Sequence, residues 1–212
     1  MMTDKISASS LKLVRSTALF APVVDEFEVT NADALNARLT EVISRWRASE
    51  PGLNQSNYDG WHSDYDLFER REEPVRQLCQ FFTAASRLVL SRYWDKADVT
   101  KRKLLFNGWV NVSGQHALNT IHSHVGYHIS GVYYVKVPKP TKRFSGSLQF
   151  INSQTATVGP NEDLWDKMFP AKHTIDPQEG RLLMFPSTLK HWVYPNAEDE
   201  DRISVAFNVL MP

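Results

Sequence analysis

The stretch NTIHSHVGYHISGVYYV, residues 119–135, decides how this chain folds. Its second half, GVYYVKV when carried on to residue 137, is apolar and β-branched or aromatic on both faces. A strand that is apolar on both faces belongs inside a closed or sandwiched sheet. Its first half puts His122 and His124 one residue apart, with His128 four residues further on. Alternate residues of a strand point to the same side, so His122 and His124 project together toward one end of such a sheet.

Outward from this stretch the pattern stays strand-like from about residue 104. Strands are expected near 104–112, 117–123, 131–137, 147–152, 181–185, 189–194 and 202–210. Many short strands separated by Gly and Pro turns predict a sandwich or jelly roll. The first half of the chain reads as helix. NADALNARLTEVISRWRASEPG (31–52) carries Leu35, Leu39, Val42, Ile43 and Trp46 at helical spacing, with Asn31 as its N-cap. EEPVRQLCQFFTAASRLVLSRYW (72–94) does the same through Val75, Leu78, Phe82, Ala85 and Val89, with Pro74 in its first turn. Cys79 lies beside that apolar face and reads as core. The expected organisation is one domain over 1–212. Residues 1–100 form a helical support region and 101–212 a mainly β core.

Between the helices, NQSNYDGWHSDYDLF (54–68) is polar, aromatic and too rich for a simple turn. Two readings stand: a loop that covers a site, or a surface loop whose Trp61 plugs the core. His62 stays open. Asp64 and Asp66 form a D-x-D with no supporting motif.

Composition excludes several classes. Lys plus Arg and Asp plus Glu are 24 each, so no net field draws the protein to nucleic acid or an anionic membrane. The one cysteine excludes an intrachain disulfide and suits a reducing, cytoplasmic setting. The first twenty residues lack the apolar run of a signal peptide, and no stretch reaches membrane-span length. There is no G-x-S-x-G, P-loop or G-x-G-x-x-G.

Two imidazoles hold a metal poorly. The best third ligand is His191 in FPSTLKHWVYP, which opens another strand-like run 67 residues after His124. Arg202 follows eleven residues later in DRISVAFNVL. An arginine inside an apolar strand is costly unless paired, and its planar fork suits a carboxylate. Ser204 shares its face. The competing reading of Arg202 is an ion pair with the acidic run at 198–201. Tyr134, Asn111 and Asn119 are polar residues within strand-like runs, able to line a pocket or to serve the core and turns. Trp109, Trp192 and Phe207 read as core or pocket wall. His116, His128 and His173 read as loop or surface residues.

The set His122-x-His124, His191, Arg202, Ser204 resembles the Fe(II)/2-oxoglutarate-dependent oxygenases. Closest is a subgroup with an H-x-H…SGVYYV…H…RIS.AFN pattern, and SNYDGWHS is similar to that subgroup's upstream loop. The resemblance covers roughly residues 104–210. It implies a double-stranded β-helix (a cupin-like jelly roll), Fe(II) on His122, His124 and His191, and O2 and 2-oxoglutarate as co-substrates. The 2-oxoglutarate distal carboxylate would meet Arg202 and Ser204, with Tyr134, Asn111 and Asn119 nearby. One position departs from the superfamily: His124 stands where a carboxylate ligand is usual. Three neutral imidazoles leave the ion its full +2 charge, which favours a dianionic co-substrate and weakens the hold on free Fe(II). The same ligand set also suits zinc or copper. Metal affinity is expected to collapse as pH falls through about 6.

The reading is therefore an oxygenase acting on a small molecule or peptide, with no nucleic acid or membrane partner. Oligomeric state is open. Two alternatives remain at this point. One is a cupin-like three-histidine dioxygenase or isomerase without 2-oxoglutarate, in which Arg202 holds a substrate carboxylate. The other is a non-catalytic jelly-roll binding module. Specificity is expected from 54–68 and 152–178.

Overall fold

The alternation in RISVAFNVL (202–210) sorts the molecule into layers. Ile203, Val205, Phe207 and Val209 face one way, into a core shared with two helices; Arg202, Ser204 and Asn208 face the other way. The computed structural model describes residues 15, 21–153, 167–168 and 170–212. Its elements are β1 (Asp25–Glu28), α1 (Ala32–Ser49), β2 (Asn57–Tyr58), β3 (Trp61–His62), α2 (Glu73–Leu90), α3 (Lys96–Lys101), β4 (Leu105–Ser113), β5 (Leu118–His122), β6 (Ile129–Lys136), β7 (Leu148–Ile151), β8 (Lys172–Ile175), β9 (Arg181–Pro186), β10 (His191–Val193) and β11 (Arg202–Leu210).

Two sheets result. One has the order β1-β9-β6-β11-β4-β3 and the other β2-β5-β10-β7-β8. Every pairing between named strands is antiparallel. Sequence neighbours switch sheets (β4 to β5, β6 to β7, β9 to β10), which is the double-stranded β-helix expected. The seven strands expected from the sequence are present within two or three residues of their anticipated ends.

The helices cover the outer face of the larger sheet. Leu35, Leu39 and Ile43 of α1 and Val75, Leu78 and Phe82 of α2 join Val110, Tyr133, Leu182, Met184, Val205 and Phe207 in one core. Phe207 stacks on Phe82 with ring centroids 4.1 Å apart. Phe207 also lies over Gly131, where an added Cβ would fall 2.5 Å from the ring. A glycine in mid-strand is thus explained by the aromatic side chain that occupies its Cβ space. Among the described residues no helix is long and apolar enough to cross a membrane.

Several elements differ from expectation. Asn31 sits at the start of α1 in the left-handed region (φ 56°) and makes no side-chain cap. The first hundred residues also contribute strands: β1 edges the larger sheet, while β2 and β3 add to the open end of both sheets. The stretch 54–68 therefore contributes one short edge strand to each sheet, β2 beside β5 and β3 beside β4. Its two proposed roles fall to neighbouring residues, because adjacent strand positions face opposite sides. Trp61 packs against the helix-side core, and His62 opposes Asn111 and faces inward. Of the stretch 152–178, residues 154–166 and 169 lie outside the described residues. So do residues 1–14 and 16–20, on which the signal-peptide reading rests.

Candidate metal centre and co-substrate pocket

His191 opens β10 and pairs directly across the sheet with His122, the last residue of β5. That register puts the two imidazoles side by side, with centroids 4.3 Å apart. Strand alternation does not place His124, because it lies two residues beyond the end of β5. A backbone bond does: its N–H donates to the Ser187 carbonyl at 2.8 Å. Ser187 is buried, its N–H donates back to the His128 carbonyl, and its hydroxyl donates to the Tyr127 carbonyl. This staple holds the H-x-H turn against the turn that leads into His191. Ser187 was missed from sequence; its only signal was its place in FPS, between strand and site.

The result is a three-imidazole cluster whose ligand atoms all lie within 4.8 Å of one another. The Nδ1 atom of His122 lies 2.7 Å from the Thr120 carbonyl and that of His191 lies 2.8 Å from the Leu189 carbonyl. Each Nδ1 therefore carries the proton, leaving a lone pair on Nε2 for a metal. Burial lowers all three pKa values. His124 is pushed down to about 4, with His122 adding to the effect. His191 falls to about 3 through burial and then His122. The His122 value is lowered by burial against the Thr120 bond. All three are neutral at pH 7, the form that ligates. The donor set therefore fits Fe(II), and by residue type also fits zinc or copper. Phe150 and Phe185 pack on His191 at 6.0 and 5.0 Å and keep that side apolar.

Those two phenylalanines belong to a buried cluster that also contains Tyr134, on the inner face. Beside Tyr134 lies the deciding feature. Arg202 is 2% exposed, yet its guanidinium makes no ion pair among the described residues. Among the described residues Nη1 donates to Ser204 Oγ at 3.2 Å and the guanidinium lies over the Tyr134 ring, 5.1 Å from its centroid, while Nε has no hydrogen-bond partner. The acidic run does not neutralise it. Glu198 takes Thr141, Asp199 takes Gln115, Glu200 takes Lys136 and Asp201 takes Arg47. Among the described residues the Tyr134 hydroxyl and Asn111 Oδ1 are also buried without a well-formed hydrogen bond. Ser204 pairs across the sheet with both Tyr134 and Asn111, which gathers these groups on one face. Burial raises the Tyr134 pKa while the Arg202 guanidinium opposes it, so the phenol keeps its proton and can donate. Gly146 (φ 63°) completes the cradle: a Cβ there would fall 2.7 Å from Arg202 Cδ. A buried cation and hydroxyl left unpaired are costly unless an anion arrives. A carboxylate bearing on Arg202, Ser204 and Tyr134 satisfies that need.

Comparison with known proteins agrees with this geometry. The sequence of residues 107–208 matches the family described as "Putative 2OG-Fe(II) oxygenase". The match spans the β core, a little under half of this chain. The chain is an enzyme of the Fe(II)/2-oxoglutarate-dependent oxygenase type, with Fe(II) as cofactor and 2-oxoglutarate and O2 as co-substrates. The sequence has no match among curated proteins. Solved structures share the fold at low identity. A Pseudomonas putida prolyl-4-hydroxylase is 16% identical, with TM-score 0.60, covering 89% of this chain and 92% of the other. A Trichoplax adhaerens prolyl hydroxylase solved with a hypoxia inducible factor peptide fragment is 13% identical, TM-score 0.61, covering 89% and 83%. HygX from Streptomyces hygroscopicus, solved with nickel, 2-oxoglutarate and hygromycin B, is 12% identical, TM-score 0.56, covering 89% and 82%.

The remaining sequence-selected residues divide clearly. Asn119 is buried on β5 and donates to Ser56 Oγ at 3.3 Å. Trp109 is 5.6 Å from His124 and forms a wall of the site, whereas Phe207 belongs to the helix-side core. Trp192 points away from His191's side, packs at a tilt on Tyr194 with ring centroids 4.2 Å apart and donates to Gln149 Oε1. His128 is exposed and accepts from the Met211 N–H through Nδ1. His173 is exposed on β8. Asp66 pairs with Arg70 and Asp64 is exposed, so the D-x-D gathers no further ligands among the described residues. The thiol of Cys79 is pushed up to about 12 by burial and is no nucleophile. Beside the cluster opens a cleft of about 460 Å³, walled by His62, Tyr65, Trp109, Tyr127 and Asn208 among others. The sequence leaves the role of His62 undecided, and its place here follows from β3 joining the larger sheet.

Proposed function

We propose that His122, His124 and His191 hold the Fe(II), that Arg202, Ser204 and Tyr134 hold the distal carboxylate of 2-oxoglutarate, and that the enzyme hydroxylates a C–H bond of a small molecule or peptide in the adjoining cleft. The observation that carries this is the unpaired buried Arg202 on the same inner face as a three-imidazole cluster. The bound iron supplies oxygen activation coupled to decarboxylation of 2-oxoglutarate. The chain supplies the rest. Backbone carbonyls of Thr120 and Leu189 fix two ligand rings. Asn111, whose Oδ1 lacks a partner, and Asn119 line the co-substrate side. Phe150 and Phe185 exclude water. In this reading residues 1–100 support the β core within one domain through α1 and α2, and the single cysteine and balanced charge suit a cytoplasmic protein without nucleic-acid partners.

A crystal soaked without oxygen in Mn(II) and 2-oxoglutarate tests the assignment. The expected density shows the ion on the three Nε2 atoms and a carboxylate on Arg202. Metal bound elsewhere, or 2-oxoglutarate away from Arg202, would overturn it.

A further inference from the structure

The cleft beside the histidines has a composition that the co-substrate site does not explain. None of its described lining residues is Asp, Glu, Lys or Arg. Two of its polar groups are fixed by neighbours outside the cleft. The Nδ1 atom of His62 lies 2.6 Å from the Ser63 carbonyl and so carries the proton. Among the described residues no hydrogen bond reaches its Nε2, which is left as an acceptor. The ring cannot turn away: it is 2% exposed, stacks on Trp109 (5.5 Å, 11°) and meets Tyr65 edge-on at 5.2 Å. Asn208 is held likewise, its Oδ1 accepting from the buried Ser130 hydroxyl at 2.7 Å. Its carboxamide N–H groups remain as donors. Around the mouth Val125 (84% exposed) and Tyr65 (41%) give an apolar rim. The nearest acidic influence on His62 is Asp64, which is exposed and does not line the cleft.

This step rests on the proposed metal and co-substrate assignment, in which Arg202, the nearest buried cation, is already taken by the distal carboxylate of 2-oxoglutarate. A charged substrate group entering the cleft would lose water and find no charged side chain on the described walls to pair with, which is unfavourable.

We propose that this cleft binds an uncharged, hydrogen-bond-donating group of the substrate, an amide-bearing planar group, with His62 Nε2 as its acceptor and Asn208 as donor to its carbonyl. His62 is then a residue that selects substrate, and it lies outside the metal ligand set.

The test uses the full chain loaded with Mn(II) and saturating 2-oxoglutarate. Four matched fragments serve as probes: benzamide, N,N-dimethylbenzamide, benzoate and benzamidinium. Relaxation of fragment protons by the bound Mn(II) reads both affinity and nearness to the metal. Benzamide should bind at least tenfold tighter than either charged analogue and at least threefold tighter than the dimethylamide, which lacks N–H. His62→Phe should erase the preference over the dimethylamide, and His62→Gln should restore part of it. A packing role alone would not make affinity depend on the ligand's N–H. Equal or tighter binding of benzoate or benzamidinium overturns the proposal, as does a donor preference that survives in His62→Phe. Absence of binding by all four with Mn(II) and 2-oxoglutarate in place also overturns it. The charge series needs no variant, so a folding failure at position 62 leaves it decisive. Water-proton relaxation reports Mn(II) loading separately; failure to load would overturn the metal-centre reading and this inference with it. Acetyl-glutamine methylamide, compared with benzamide, separates the two sources: tighter binding of the former assigns a peptide, tighter binding of the latter a free ring compound.

Discussion

Replacing Arg202 by methionine should move two measurements in opposite directions. In the protein without co-substrate, the guanidinium is buried, holds one 3.2 Å bond to Ser204 and meets no counter-ion among the described residues. An uncompensated buried charge is destabilising, and an apolar side chain of similar length removes the penalty. Replacements of this kind stabilise by about 1–4 kcal/mol. For a chain of this size each kcal/mol raises the melting midpoint by about 2–4 °C. The metal-free variant should therefore melt higher than the parent. Binding of 2-oxoglutarate should fall, because truncating one member of a buried charge pair costs about 2–5 kcal/mol. That corresponds to roughly 30-fold to several thousand-fold in Kd. Thermal denaturation of the metal-free protein gives the first number, and calorimetric titration of the Mn(II)-loaded protein gives the second. Arg202→Lys, which keeps charge but loses the planar fork, should bind at an intermediate level. A methionine variant that melts lower and binds 2-oxoglutarate within threefold of the parent would make Arg202 a structural anchor and not a co-substrate ligand.

Gly146→Val should lower 2-oxoglutarate affinity by about tenfold or more, since the residue has φ 63° and a side chain there strikes Arg202; Mn(II) affinity, measured in parallel, should change little. His124→Asp should tighten Fe(II) binding and weaken 2-oxoglutarate binding, each by about tenfold, because a fixed negative charge enters the site; anaerobic titrations read both, and a co-substrate affinity that rises would contradict the electrostatic argument. The lowered imidazole pKa values set the pH behaviour. A histidine neutral in the fold but protonated when unfolded destabilises the fold as pH drops below about 6.5, with the loss growing until the folded pKa is reached. With folded values of about 4 for His124 and about 3 for His191, each costs about 2 kcal/mol at pH 5. The metal-free protein should thus melt several degrees lower at pH 5 than at pH 7, and the difference should shrink in His191→Phe. The same shifts keep the ligands neutral below pH 6, so metal affinity should decline further down the scale than free histidine would suggest.

Much of the fold was legible because β11, β4 and β6 alternate strictly between a helix-facing and an inward-facing side. Alternation also explains why Arg202 and Ser204 could be paired from sequence. The short elements β1, β2, β3 and β8 were not legible, because two to four residues carry too few positions to show a period; β7 and β10, equally short, were legible only as parts of longer strand-like runs. The site was legible where strands set it and hidden where turns do. His122 and His191 are cross-strand partners, whereas His124 owes its direction to a bond with the Ser187 carbonyl that no spacing encodes. His62 was undecidable for a related reason. Its inward orientation follows from opposing Asn111, a contact 49 residues away.

A three-imidazole centre and the Arg202 pocket act together in this enzyme, and succinate formation from 2-oxoglutarate by the full chain with added Fe(II) and ascorbate under air is the decisive assay. Succinate should form only with both Fe(II) and O2 present, and formation should be abolished in His191→Ala and in Arg202→Met. Protein that is fully loaded with Fe(II) yet neither binds nor decarboxylates 2-oxoglutarate would rule this joint action out.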